Sequence, residues 1–254
     1  MKLFKISEDG VHKTYNFMGI KFHKRVFDKS DYRLAIRATM LANSVAKIHS
    51  HSFDKYKNIN EGKSVALIAT GPTLSEYKQI PNVVNVGVNK SFLFDKLNLD
   101  YLFIQDFNSK DYICHLLEEK YSHIKKFIGV LPQSNLIIPE SLALKLKASR
   151  YFTDEICKPH QFAYDISSTM LGDFNSVSFS AMQFILWTNP DKIYLVGCDC
   201  SSGYFDKTKS TTSMNKLIGN WIMLKKFAET YYPDTKIISV NPVGLKGVFT
   251  DLYQ

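Results

Sequence analysis

One stretch, Ser64-Val-Ala-Leu-Ile-Ala-Thr-Gly-Pro-Thr-Leu-Ser-Glu76, constrains the fold of this 254-residue chain more than any other. Val65 to Ala69 form a short, unbroken run of small and branched apolar residues, the pattern of a strand buried on both faces of a parallel sheet. The run stops at Thr70-Gly71-Pro72-Thr73. Glycine permits backbone conformations that a Cβ forbids, proline presets φ for a first helical turn, and Thr73 or Ser75 can cap exposed N–H groups. A strand, a tight glycine turn and a helix start aim free N–H groups at one point, where a phosphate can bind. Two stronger phosphate motifs are missing. G-x-G-x-x-G is not met, and Gly62-Lys63-Ser64 lacks the glycine of a Walker loop, because Lys57 stands there and the triplet precedes its strand. Ordinary kinases, ATPases and dehydrogenases are therefore not expected.

Further strands are expected at Val83–Val88, ending at Asn89, at Tyr101–Gln105, ending at Asp106, and at Phe127–Leu131. Others are expected at Asp191–Gly197, which runs into Cys198-Asp199-Cys200, and at Lys236–Val240. Helical patterns separate them: a short helix over 74–79, one over 111–126, an apolar one from Ser176 to Trp187, and one over 216–231. Residues 132–165 read as irregular. Five or six buried strands alternating with helices define an α/β fold, a Rossmann-like parallel sheet flanked by helices. The ligand crevice of such a sheet lies outside the carboxyl ends of its strands, which would gather Thr70, Gly71, Asn89, Asp106 and Asp199 on one rim.

A basic N-terminal extension, residues 1–63, is expected before the domain at 64–254. It carries thirteen Lys and Arg against six Asp and Glu, hence seven of the net eight positive charges. Such a leader fits an anionic surface, lipid headgroups or nucleic acid, and equally a plain solvated face. No nucleic-acid-binding motif appears in it. Within it, residues 15–25 read as a hairpin or extended arm. Leu34, Ile36, Met40, Leu41, Val45 and Ile48 mark a helix from Asp31, its possible cap, to His51, better read as packed on the main domain than as a membrane-surface helix. Residues 52–63 read as a polar linker. No run approaches the roughly 20 apolar residues of a membrane span, and the charged start has no signal-peptide core, so a cytoplasmic protein is expected. Cys198-x-Cys200 is the one close cysteine pair, and crowding at a strand end explains it better than a metal site.

Four blocks carry a resemblance: Ile68-Ala-Thr-Gly-Pro-Thr-Leu74, Gly87-Val-Asn-Lys90, Ile193-Tyr-Leu-Val-Gly-Cys-Asp199 with Gly203-Tyr-Phe-Asp206, and Val240-Asn-Pro-Val-Gly-Leu245. In order and spacing, over roughly residues 64–250, they resemble the bacterial sialyltransferases that build lipooligosaccharide. They also resemble a broader group of polysaccharide-locus and flagellin glycosyltransferase domains. The resemblance implies a CMP-activated sugar held by Thr70, Gly71, Pro72, Thr73 and Asn89, with Asn175 and Ser176 on the nucleotide. It implies Tyr204 on the phosphate leaving group, with Ser201 where the family has a second tyrosine, and Asp106 near the donor sugar.

The family uses a histidine after those tyrosines as general base, and residues 201–254 contain none. Asp106, Asp199 and His160 are the candidates in its place, although Asp199 also fits a loop cap and His160 a surface histidine. The resemblance thus implies a glycosyltransferase of cell-surface polysaccharide synthesis, inverting and, with no D-x-D, independent of metal or other cofactor. Its partners would be a nucleotide-sugar donor, a glycan or lipid-linked glycan acceptor and, through residues 1–63, the anionic inner face of the cell membrane, with no nucleic acid. Self-association stays open. Two other classes also stay open: a phosphotransferase like the pterin pyrophosphokinases, with Mg²⁺ on Asp106 and Asp199, and a non-catalytic nucleotide-binding module.

Overall fold

The computed structural model of the chain describes residues 4–8, 12–18, 20–25, 29–106, 110–130, 137–154, 161–209 and 214–253. The chain divides into two compact units, Met1–Ser44 and Val45–Gln254. Among the described residues no helix is long and apolar enough to cross a membrane.

The first unit holds an antiparallel sheet of β1 (Phe4–Glu8), β2 (His12–Phe17) and β3 (Ile20–Arg25), in that order. The expected arm at 15–25 is thus a hairpin of β2 and β3, with Phe17 opposite Ile20. The helix α1 (Lys29–Phe53) follows. It starts before Asp31, which lies inside the helix and is no cap. Residues 33–40 are exposed, whereas Val45, His49 and Phe53 are buried.

That burial moves the boundary between units from the expected 63/64 to Ser44/Val45. Residues 52–63 are no linker either: Ser52, Phe53, Tyr56 and Asn60 are all buried. Phe53 stacks on Phe127 at 5.6 Å between ring centroids, and Tyr56 meets Phe184 edge-on at 5.4 Å. The polar residues between these aromatics masked a segment whose large side chains belong to the core.

Among the described residues the second unit is built on nine parallel strands: β4 (Ser64–Ile68), β5 (Val83–Val88), β6 (Tyr101–Ile104), β7 (Lys125–Val130), β8 (Ser149–Asp154), β9 (Leu171–Gly172), β10 (Lys192–Val196), β11 (Lys236–Val240) and β12 (Thr250–Asp251). Their order is β12-β11-β10-β4-β5-β6-β7-β8-β9. Helices flank the sheet, so the expected α/β, Rossmann-like class holds. The additional strands are β8 and the two-residue ladders β9 and β12. Part of 132–165 is therefore regular: α3 (Ile137–Lys145) packs against β7 and β8. The helix expected over 111–126 is only α2 (Lys110–His115) followed by a short 3₁₀ turn at Glu119–Tyr121.

Helix α4 (Val177–Trp187) is buried along its whole length, as a helix apolar on all sides must be. It lies against β4, β5, β6 and β9, and its Phe184 meets Phe103 and Phe127 of the sheet. Its one long polar side chain is fully bonded: Gln183 Oε1 accepts from the N–H groups of Ala163 and Gly172, and Nε2 donates to Gly172 O and Phe179 O. The helix α5 (Met214–Tyr231) adds Trp221, Leu224 and Ala228 to the same core.

Candidate functional site

The strand order reverses at β4: β5 to β9 lie on one side of it and β10 to β12 on the other. Chain segments leaving the carboxyl ends of β4 and β10 diverge, and such a switch point is where open parallel sheets hold their ligands. A cavity of about 410 Å³ opens there.

The glycine turn after β4 is built differently from its expected form. Pro72–Glu76 is a single 3₁₀ turn, not the start of a helix to 79. Gly71 has φ −66°, a value open to any residue, and its glycine is required by space instead. A methyl there would lie 2.5 Å from both Gly197 O and Asp199 Oδ2. Nor are the N–H groups of Gly71, Thr73 and Leu74 free for a phosphate. Gly71 donates to Gly197 O at 2.8 Å and Leu74 to Gly71 O at 3.1 Å. Thr73 N–H donates to Asp199 Oδ2 at 2.7 Å, and its hydroxyl donates to Asp199 Oδ1. The anion received by this turn is the protein's own carboxylate.

Asp199 is 2% exposed. Burial raises its pKa above the usual carboxylate range, and the bonds from Thr73 only partly oppose this. Burial likewise pushes Cys200 to about 12 and Cys198 well above the ordinary thiol value, with Asp199 adding to both. Both thiols stay protonated at neutral pH, which agrees with a crowded strand end. Among the described residues no three His, Cys, Asp or Glu side chains are grouped to hold a metal ion.

On the other side of the cavity, Asn89 takes a left-handed φ of 43° as β5 ends. Its Oδ1 accepts from the N–H of Gln105 at 3.0 Å and of Asp106 at 3.4 Å, which pins the end of β6. Asp106 is exposed at the cavity wall. The adjacent Lys90 reaches across to the segment after β10: Nζ lies 2.6 Å from Asp206 Oδ2, 2.8 Å from Thr208 Oγ1 and 4.2 Å from the centre of the Tyr204 ring. Phe205 N–H also donates to Thr70 O at 2.9 Å. The loop carrying Tyr204 is thus tied to both β4 and β5.

The third wall is the start of α4. Ser176 caps it, its Oγ accepting from Ser178 N–H at 3.3 Å. Asn175, at φ 66°, donates its N–H to Asp173 Oδ1 at 3.1 Å. Because Ser176, Val177 and Ser178 line the cavity, the positive end of the α4 dipole faces it. Met214, Leu217 and Trp221 of α5 close the cavity with an apolar wall, held to the α4 entry by Asn220 Nδ2 donating to Phe174 O at 3.0 Å.

Of the nucleotide positions expected from sequence, Thr70, Gly71, Asn89, Asn175, Ser176, Ser201 and Tyr204 line this cavity. Pro72 and Thr73 are not among its lining residues, and Thr73 is bonded to Asp199 instead. Asp106 and Asp199 line it as well, while His160 lies outside the described residues. Asp173, Gln105, Lys90 and the α5 wall escaped the sequence reading. Lys90 closes the segment Gly87-Val-Asn-Lys90, and its charge beside a strand end is the available signal. The cavity joins polar groups on three walls to an apolar fourth, the make-up of a small-molecule site. Among its described lining residues there is no Lys, Arg or His, so the α4 end supplies the positive field.

The architecture defines a Rossmann-like α/β protein with one cavity at its switch point. No protein-family model matches the chain, and no curated protein does. A solved structure, that of a MAf glycosyltransferase from Magnetospirillum magneticum AMB-1, is similar over 82% of this chain and 38% of that one, at 12% identity and a TM-score of 0.48. The chain thus spans well under half the length of that protein. A likeness so distant carries no argument about activity.

Proposed function

We propose that the chain is a glycosyltransferase of bacterial cell-surface polysaccharide synthesis, taking a CMP-activated sugar and inverting at its anomeric carbon without a metal. The observation that carries this reading is convergence. Seven positions that the sequence resemblance assigns to the nucleotide, drawn from four separate stretches of chain, meet in one cavity. Trp221, Leu217 and Met214 suit the flat face of a base, and the start of α4 suits a phosphate.

In this mechanism Asp106 takes the proton of the acceptor hydroxyl as its oxygen attacks the anomeric carbon from the face opposite the phosphate. The bond from that carbon to the phosphate oxygen breaks, and its electron pair leaves with the nucleotide. The Tyr204 hydroxyl and the α4 dipole stabilise the departing charge. Asp199 acts as a positioning residue, because Thr73 occupies both of its oxygens. The acceptor is a glycan or a lipid-linked glycan.

The test is thermal stability with CMP, CDP, UDP, GDP and ATP, each with and without Mg²⁺. A ligand at 100 times its Kd adds about 2.7 kcal/mol. CMP is expected to stabilise the chain without metal and to lose its effect in Asn175→Gly, which keeps the left-handed backbone. Stabilisation only by ATP with Mg²⁺ would replace transfer of a sugar by transfer of a phosphate group. No response to any of the five would leave neither.

A further inference from the structure

We infer that the β2–β3 hairpin is a wedge that docks on an anionic lipid bilayer. Residues paired across an antiparallel ladder share a face, and every second pair returns to it. From the turn inwards, one face therefore carries Phe17 opposite Ile20, then Tyr15 opposite Phe22, then Lys13 opposite Lys24. β1 adds Ile6 beside Tyr15. The other face carries Asn16 opposite Lys21 and Thr14 opposite His23, with Lys5 beside Asn16. Apolar side chains are left in solvent at the turn end: Phe17 is 49% exposed, Met18 65%, Ile20 60% and Phe22 59%.

Single exposed apolar residues need no explanation, but a hairpin tip made of them does. The ordering along the strands identifies the occupant. Polarity rises from the tip to a lysine pair four residues away, about 14 Å at the rise of an antiparallel strand. A bilayer presents the same gradient in reverse, with acyl chains below and phosphates above, and interfacial elements sink roughly 5–10 Å into it. Lys24 is exposed behind the apolar tip, and Lys5 and Lys21 are exposed on the opposite face, one residue from the turn pair. Each basic side chain near an anionic surface adds attraction. A second copy of the chain fits less well, since each copy brings the same surplus of seven positive charges in residues 1–63. This inference stands apart from the sugar-transfer reading and survives its failure.

The experiment uses the full chain and sedimented unilamellar vesicles, either phosphatidylcholine alone or phosphatidylcholine containing phosphatidylglycerol. Binding to the anionic vesicles only, weakened by added salt, is expected. Phe17→Asp with Phe22→Asp should lower the partition coefficient roughly tenfold or more, the scale of burying one phenylalanine. Lys21→Ala and Lys24→Ala should each lower it about fivefold. A Phe22→Trp chain reads insertion directly, through a blue shift and quenching by lipids brominated on the acyl chains, and an unchanged melting temperature shows that each variant is folded. Two results would overturn the inference. One is no preference for anionic vesicles. The other is a wild-type dimer in sedimentation velocity that the double aspartate variant splits while vesicle binding is unchanged, which would assign the tip to a second copy.

Discussion

Asp199 and Thr73 are bound to one another twice, the N–H of Thr73 donating to Oδ2 at 2.7 Å and its hydroxyl to Oδ1. This pair clamps the turn after β4 to the end of β10, the two strands between which the cavity opens.

Removing one half of the clamp leaves a buried carboxylate oxygen unpaired. Thr73→Val should therefore cost about 1–3 kcal/mol in urea unfolding. Gly71→Ala should cost a similar amount for a different reason, since its methyl would meet Asp199 Oδ2 and Gly197 O. A Gly71→Ala chain as stable as wild type would show that the two strand ends can move apart.

His49 makes stability depend on pH. It is fully buried, with Nδ1–H donating to Ile166 O at 2.9 Å and Nε2 accepting from Phe152 N–H at 2.7 Å. Burial lowers its pKa from 6.5 to about 4. The unfolded chain then binds the proton that the folded one refuses between these values. Its contribution is whole above pH 6.5 and falls away as pH drops towards 4, by about 3 kcal/mol in all. Urea midpoints measured from pH 7.5 to pH 4.5 should fall steeply for wild type, and the slope should flatten in His49→Leu.

The Lys90–Asp206 pair is half-exposed, and its expected coupling in a double-mutant cycle is about 1 kcal/mol or less. Partial burial raises the Asp206 carboxyl, but the bonds from Lys90 and Thr208 outweigh it and hold it below its ordinary range. Lys90→Met should thus barely change the melting temperature while proteolysis within residues 203–208 quickens. Nucleotide-dependent protection of the same segment should weaken in that variant.

Under the proposed mechanism, Tyr204→Phe removes one hydrogen bond to the leaving phosphate. Turnover should fall roughly a hundredfold, with CMP affinity nearly unchanged. Asp106→Asn removes the base and should cost on the order of 10²–10⁴ in turnover. An Asp106→Asn enzyme within a few-fold of wild type would move the base elsewhere in the cavity.

The strands at 64–68, 83–88, 101–104 and 192–196 and the buried helix at 177–187 were legible because each has a local signature, a largely apolar run that stops at a polar residue or a glycine. These elements define the sheet class, and with it the rim on which Thr70, Asn89, Asp106 and Asp199 stand. Local signature fails where burial is decided by distant partners. Phe53 and Tyr56 sit among polar neighbours in the chain and find their ring contacts on β7 and α4. The same holds for the turn at Gly71. Sequence alone presents it as a phosphate cradle, because a glycine–proline step before a threonine leaves N–H groups unpaired. The tertiary fold brings Asp199 and Gly197 to those groups first, and no pattern within residues 64–76 could announce a carboxylate from the far side of the switch point. What the chain's own order determined was the strands and the rim on which their ends would gather; which N–H groups on that rim stay open was decided only when β10 came to lie beside β4.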